Sequence, residues 1–296
     1  MKLALLKSEA LLLLVAIIWG FAFVAQRAGM DFVGPFTFNA VRFALGGLVL
    51  LPFIRKPGPG LRVSLVLGGG LAGGALFLGS SLQQIGIVYT TAGKAGFITG
   101  LYVVLVPILG LARAQRASSV TWAGALLSAA GLYLLCVDES MSINVGDVLV
   151  FIGSFFWALH VHVIASLSRR IAAGRLAFFQ YTACAALSYV AALLIEEISV
   201  LSIFDAAIPI LYGGLFSIGI GYTLQVIGQR QVPPAHAAII LSLEAVFAVL
   251  GGWLLLAETL PLRGLAGCAL MLCGMILSQL DFRGSRKRVV EEIHPS

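Results

Sequence analysis

Residues 10–25 read ALLLLVAIIWGFAFVA, sixteen positions without a charge, between Lys7 and Glu9 on one side and Gln26 and Arg27 on the other. A run that is apolar on every face leaves a helix no side for water, and in lipid a helix satisfies its own backbone polar groups. Lys2 and Lys7 ahead of such a run also resemble the opening of a secretory signal. The run outlasts the roughly 7–15 residue core of a signal peptide and shows no small-residue cleavage site before the next apolar stretch, so it is read as a first membrane span. The rest of the chain has the same character. Its 296 residues are 60% hydrophobic and 11% charged, with a mean hydropathy of +1.02, whereas soluble domains carry about 25% charged residues. A crossing takes about 20 apolar residues, so the length accommodates about ten spans with short loops and no separate soluble enzyme domain.

Apolar runs divided by charges, prolines and glycines place spans near residues 9–28, 35–54, 63–87, 91–112, 119–137, 146–168, 175–195, 206–228, 233–256 and 261–280. Pro35, Pro233 and Pro261 fall at span starts, where a missing N–H costs least; Pro107, inside the fourth span, is a candidate kink. The formal charge of +6 comes from basic residues at span ends, which is a topology signal and not a nucleic-acid footprint. Lys2 and Lys7, then Arg55, Lys56 and Arg62, Arg113 and Arg116, Arg169, Arg170 and Arg175, Arg230, and Arg283, Arg286, Lys287 and Arg288 occupy alternate connections. The intervening connections carry Asp31, Asp138, Glu139, Asp147, Glu196, Glu197, Asp205 and Glu258. Lys and Arg are retained on the cytoplasmic side, so both termini are expected inside the cytoplasmic membrane, and ten spans satisfy that alternation.

The two halves resemble each other. Trp19 aligns with Trp157 at an offset of 138, Leu82-Gln83…Ile85-Gly86 with Leu224-Gln225…Ile227-Gly228 at 142, and Gly124 and Gly131 with Gly267 and Gly274 at 143. The expected fold is an all-α integral membrane protein of ten transmembrane helices in two inverted five-helix repeats, residues 1–140 and 141–282, followed by a polar cytoplasmic tail, 283–296. An odd number of spans per repeat turns the second upside down relative to the first, an arrangement that transporters use to expose one midplane site to either side.

Trp19-Gly20-Phe21, Val41-Arg42-Phe43-Ala44, Thr91-Ala92-Gly93-Lys94-Ala95-Gly96-Phe97, Pro233-Pro234-Ala235-His236-Ala237-Ala238 and Leu243-Glu244-Ala245-Val246-Phe247 stand in this order along the chain. Together they resemble the EamA family of the drug/metabolite transporter superfamily, from about residue 9 to 280. The resemblance implies ten helices in two inverted repeats, a central cavity lined from both halves, and movement of amino acids or other metabolites, often outward. It transfers no particular substrate.

Charges inside a span are costly and face the bundle interior or a water-filled cavity. Arg27, near the end of the first span, can snorkel to the headgroups. Arg42 is deeper, with Asn39 one turn before it on the same face; it is either a tie to neighbouring helices or an anion contact. Lys94, among small residues, is either an interfacial cap or a carboxylate contact. Glu244 sits about a dozen residues from either end of its span, out of snorkelling reach. It must be protonated, paired or wet, and could take up and release a proton during transport. At an offset of 142 Lys94 corresponds to His236 and Tyr102 to Glu244. Trp19, Gln26, Trp157, His160, Tyr222, Gln225 and Gln229, with Gln83 and Gln84, are either packing and interhelical ties or cavity walls.

The tract Gly68-Gly69-Gly70 with Gly73, Gly74 and Gly79 lacks the lysine and flanking strand of a phosphate loop and is read as a surface for close helix packing. Cys136, Cys184, Cys268 and Cys273 show no zinc or disulfide spacing, so they read as small apolar fillers. No metal motif, nucleophile elbow or ATP-binding motif is present, so neither a cofactor nor catalysis is expected and uphill movement would draw on an ion gradient or exchange. The expected function is a secondary transporter, a monomer or homodimer in the lipid bilayer, exporting small metabolites such as amino acids by alternating access. The other reading is a membrane protein that is not a carrier, such as a channel, a helper subunit or an embedded enzyme; saturable counterflow against large ion currents separates carrier from channel.

Overall fold

In a computed structural model, which describes residues 2–54, 61–111, 118–136, 144–274 and 276–277, the chain is all-helical with no strand among those residues. Its helices are α1 Lys2–Gly29, α2 Pro35–Leu50, α3 Leu61–Gly86, α4 Ala92–Gly100, α5 Tyr102–Leu111, α6 Ser119–Cys136, α7 Val145–Leu167 and α8 Ala173–Ile195. Then follow α9 Val200–Asp205, α10 Ala207–Leu211, a π-helix Tyr212–Tyr222, α11 Thr223–Gly228, α12 Pro234–Leu241 and α13 Glu244–Leu256, and a last helix α14, Leu262–Gly274. Among the described residues six stretches are long and apolar enough to cross a membrane: Leu5–Gly29, Leu65–Gly86, Ala92–Leu111, Val145–Leu167, Ala173–Ile195 and Ala207–Gly228. Pro35–Leu50, Trp122–Gly131, Glu244–Leu256 and Leu262–Gly274 are shorter apolar helices. Arg55, Lys56, Arg113, Arg116, Asp138, Glu139 and the tail 283–296 lie outside the described residues.

The expected fourth span is broken, and the break is not at Pro107. It falls at Leu101, after Gly100, and Pro107 sits inside α5. The ninth expected span breaks at Ser242 and Leu243, so α12 and α13 meet at the point that corresponds, 142 residues on, to the α4/α5 junction. Tyr102 and Glu244 are each the first residue after their break. The eighth expected span carries a π-helix over half its length, a wider ladder that occurs mostly as single turns at functional positions.

Small residues set the packing. A side chain at Gly131 of α6 would strike the Gly267 carbonyl and Met271 of α14, and one at Gly274 would strike the Gly124 carbonyl and Ser128. Gly86 lies against the Gly146 carbonyl and Val150, and Gly228 against the Ser8 carbonyl and Leu12. Within the glycine tract of α3, Gly69 and Gly73 press on Phe179, Ala183 and the Gln180 backbone of α8, while Gly70 and Gly74 face open space. In lipid no hydrophobic force draws helices together, so such backbone approaches and interhelical hydrogen bonds hold the bundle. Apolar side chains such as Leu126, Leu194, Leu201, Phe204, Ile208 and Leu262 cover its outside.

Candidate functional site

The two broken helices, α1, α2, α3, α7, the π-helix and α11 surround one central cavity. It is lined by Trp19, Gln26, Arg42, Tyr102, Trp157, His160, Tyr222, Gln225 and Glu244, with Ala22, Phe23, Gln83, Thr99, Val161, Ser217 and Leu241. Its volume is about 30 Å³. That is room for about two waters at roughly 10–15 Å³ each, against the roughly 300–1,000 Å³ of a ligand pocket. The site is closed around solvent-sized space, and anything larger requires the helices to move.

One wall is tied together by hydrogen bonds. Gln83 Oε1 accepts from Trp157 Nε1 at 2.9 Å and Thr99 Oγ1 at 3.3 Å, while its Nε2 donates to Gln26 Oε1 at 2.9 Å. Gln26 Nε2 donates to the Ala22 carbonyl at 3.2 Å, and Gln84 Nε2 donates to the Gln26 carbonyl at 3.1 Å. Four helices, α1, α3, α4 and α7, are tied through these amides, each of which would otherwise be an unpaired polar group in a low-dielectric interior.

A second wall is aromatic and centres on Tyr222, the last residue of the π-helix. Trp19 lies 4.5 Å from it centroid to centroid, His160 5.9 Å, and Trp157, Tyr181 and Phe43 each 6.2 Å. Trp19 Nε1 donates to the Ser217 carbonyl at 3.1 Å, which anchors α1 to the π-helix. His160 Nε2 donates to Gln180 Oε1 at 2.8 Å. Gly221 lets the Trp19 indole approach, since a Cβ there would strike its nitrogen.

The third part of the lining is ionisable and, among the described residues, without ion pairs. Arg42 is 3% exposed; its Nε donates to Asn39 Oδ1 at 3.0 Å, and its guanidinium lies over the Phe38 and Phe43 rings at 5.3 and 5.2 Å. Glu244 is 4% exposed and faces the Tyr102 hydroxyl, which lacks a partner in hydrogen-bond geometry. Among the described residues neither Arg42 nor Glu244 has an ion-pair partner. Tyr222 is within electrostatic reach of both. The Gln225 side-chain Oε1 is likewise buried without a partner.

Ten of the residues named from sequence therefore meet in one cavity, Gln83 among them. Asn39 and Gln84 stand just behind it, holding Arg42 and Gln26. Lys94 does not reach it: its ammonium lies 3.7 Å from Asp147 Oδ2 and is about a third exposed. His236, its counterpart, pairs with Glu9 at 3.5 Å. Arg27 forms an exposed pair with Asp31 at 2.9 Å. Sequence reasoning gave Gln83 too little weight, although its alignment with Gln225 was the available signal. It missed Thr99, and it missed Ser217, which contributes a backbone carbonyl that no side-chain pattern reveals.

Comparison with known proteins adds context to this geometry. The family model for the EamA-like transporter family matches residues 6–137 and again residues 144–280. An uncharacterized transporter of Archaeoglobus fulgidus is 35% identical over 275 residues, covering 91% of this chain and 84% of that protein. The uncharacterized inner membrane transporter YedA of Escherichia coli is 27% identical over 266 residues, 82% of this chain and 81% of its own. A solved crystal structure, 21% identical, superposes with a TM-score of 0.70 over 94% of this chain and 98% of that one, and so shares the fold.

Proposed function

Because the chain belongs to the EamA-like transporter family, a membrane transporter family, we propose that it is a ten-span secondary carrier that moves small metabolites, amino acids or related compounds, outward by alternating access. One observation carries this reading: a buried cation, Arg42, and a buried carboxyl, Glu244, line the same closed cavity and neither is neutralised by the protein. Burying a guanidinium and a carboxyl without ion-pair partners is costly, and a solute that offers both an acidic and a basic group supplies the missing partners. The aromatic cluster around Tyr222 suits an apolar portion of such a solute, and cation–π contact with it adds attraction for an ammonium.

The six long apolar helices and four shorter ones support ten spans. Two inverted repeats are supported by the double family match and by reciprocal packing. Gly131 on Gly267 answers Gly274 on Gly124; Gly86 on Gly146 answers Gly228 on Ser8; Lys94 with Asp147 answers His236 with Glu9. Broken helices at a midplane site are a feature of carriers built this way. The alternation of basic and acidic connections supports cytoplasmic termini, and the Escherichia coli relative is named an inner membrane protein.

Glu244 is our candidate for proton coupling, as the carboxyl at the α12/α13 break. The test is counterflow in liposomes with labelled amino acids and, as controls, singly charged analogues. Saturable counterflow that Arg42→Ala removes is expected; ion currents far above carrier turnover would overturn the reading. Glu244→Gln is expected to keep exchange but lose accumulation driven by a pH gradient, and full accumulation by that variant would end the coupling assignment.

A further inference from the structure

Two helix starts on the face opposite the chain termini receive a carboxylate from far away in sequence. Gly34 precedes α2 without a side-chain cap. Instead Glu196, at the end of α8, accepts from the backbone N–H of Phe36 at 2.8 Å and of Thr37 at 2.8 Å, and from Thr37 Oγ1 at 2.7 Å. Glu258, just beyond α13, accepts from the N–H of Ala92 at 2.8 Å and Gly93 at 3.0 Å, the first turn of α4. The approaches are close enough that a side chain at Gly34 would strike the Glu196 carboxylate and one at Gly252 that of Glu258. Ala257 turns the chain into Glu258 with φ of 53°, the positive-φ non-glycine residue of the described chain. A helix start carries unsatisfied donors and partial positive charge, so a carboxylate there is well placed. An ordinary cap, though, comes from the adjacent residue. These two come from the second half of the chain and hold helices of the first.

Among the described residues the opposite face shows no equivalent. Related by the repeat, the counterparts of Glu196 and Glu258 fall within residues 51–60 and 112–118, which contain no Asp or Glu. The receiving helices differ as well: Pro233 precedes α12 and Pro234 opens it, neither with an N–H to donate, and Ala172 precedes α8 without a side-chain cap. Among the described residues each face keeps one reciprocal acid–base contact, Lys94 with Asp147 on one side and His236 with Glu9 on the other. The carboxylate caps are therefore an asymmetry laid over a symmetric plan.

We infer that Glu196 and Glu258 are releasable clasps that hold the face opposite the termini shut, so that the empty carrier favours closure on that side and both must let go before the cavity opens there. This rests on the alternating-access reading. In that cycle the halves separate on one face at a time, and bonds across the halves on that face must break.

The test reads accessibility and needs no substrate. Ala22, which lines the cavity, is replaced by Cys in a chain whose Cys136, Cys184, Cys268 and Cys273 are alanine, and a membrane-impermeant maleimide is applied from each side in turn. With Glu196→Ala and Glu258→Ala together, labelling from the face opposite the termini is expected to rise about tenfold, as a population shift of that size requires, while labelling from the terminal face does not rise. Unchanged labelling overturns the inference and leaves the carboxylates as static helix caps; equal acceleration from both faces overturns it as general loosening. Should the alanine pair not survive purification with the parent's thermal unfolding, Glu196→Gln with Glu258→Gln, which keeps one acceptor oxygen and removes the charge, gives the same readout. A parent labelled from both faces at once would instead break the carrier reading.

Discussion

On one wall of the central cavity Gln83 bonds to Gln26, Thr99 and Trp157. On the other, Arg42, Glu244 and the Tyr102 hydroxyl face the space with capacity left over. Both walls are buried, and both are made of groups that lipid excludes. The difference lies in who satisfies them. The amide wall is closed on itself and ties four helices, so its energy belongs to folding. The wall of Arg42, Glu244 and Tyr102 leaves polar capacity facing the cavity, which the proposed transport reading assigns to a solute.

The largest expected effect comes from emptying the open wall. Arg42→Ala is expected to lower counterflow by about 100-fold, in line with roughly 2–5 kcal/mol for losing one partner of a buried charge pair, with only a small drop in thermal stability. Gln83→Ala should do the reverse. Its three side-chain bonds, at about 0.6 kcal/mol each in a bilayer, sum to about 2 kcal/mol of stability, read by thermal unfolding, with counterflow reduced less than by the Arg42 change. If the two variants exchanged phenotypes, the division between walls would fall.

Away from the cavity, Gly131→Leu would drive a side chain into the Gly267 carbonyl and Met271. Overpacking of this kind costs typically 1–3 kcal/mol, and the α6/α14 contact should loosen in a thermal scan. The smallest effect is a gain. Ala257→Gly relieves a left-handed residue and should raise stability by about 1 kcal/mol, visible as a higher unfolding temperature.

Much of this was legible along the chain. The helical runs were visible because lipid demands long uncharged stretches, and Arg42, Tyr102 and Glu244 were visible because polar groups at that depth are expensive. The offset of 142 residues already paired Tyr102 with Glu244, and both open the second segment of a broken helix. The breaks themselves were not legible: Pro107 advertised a kink, yet the helix interrupts at Leu101, just after Gly100. Lys94 looked equivalent to the cavity residues, and it is held at the rim by Asp147. Its distance from the helix end was readable, but the acid across from it was not.

Composition and spacing by themselves determined that this chain lives in a bilayer, that it repeats, and which few residues could do chemistry there, because the penalty for burying charge in hydrocarbon acts on every position alone. Only the tertiary structure decided which of those residues share a cavity, which are already spent on one another, and that Glu196 and Glu258 reach helix starts some 160 residues distant. Hydrogen bonds between remote segments depend on how helices cross, and crossing is set by packing between neighbours and not by the run of residues within each.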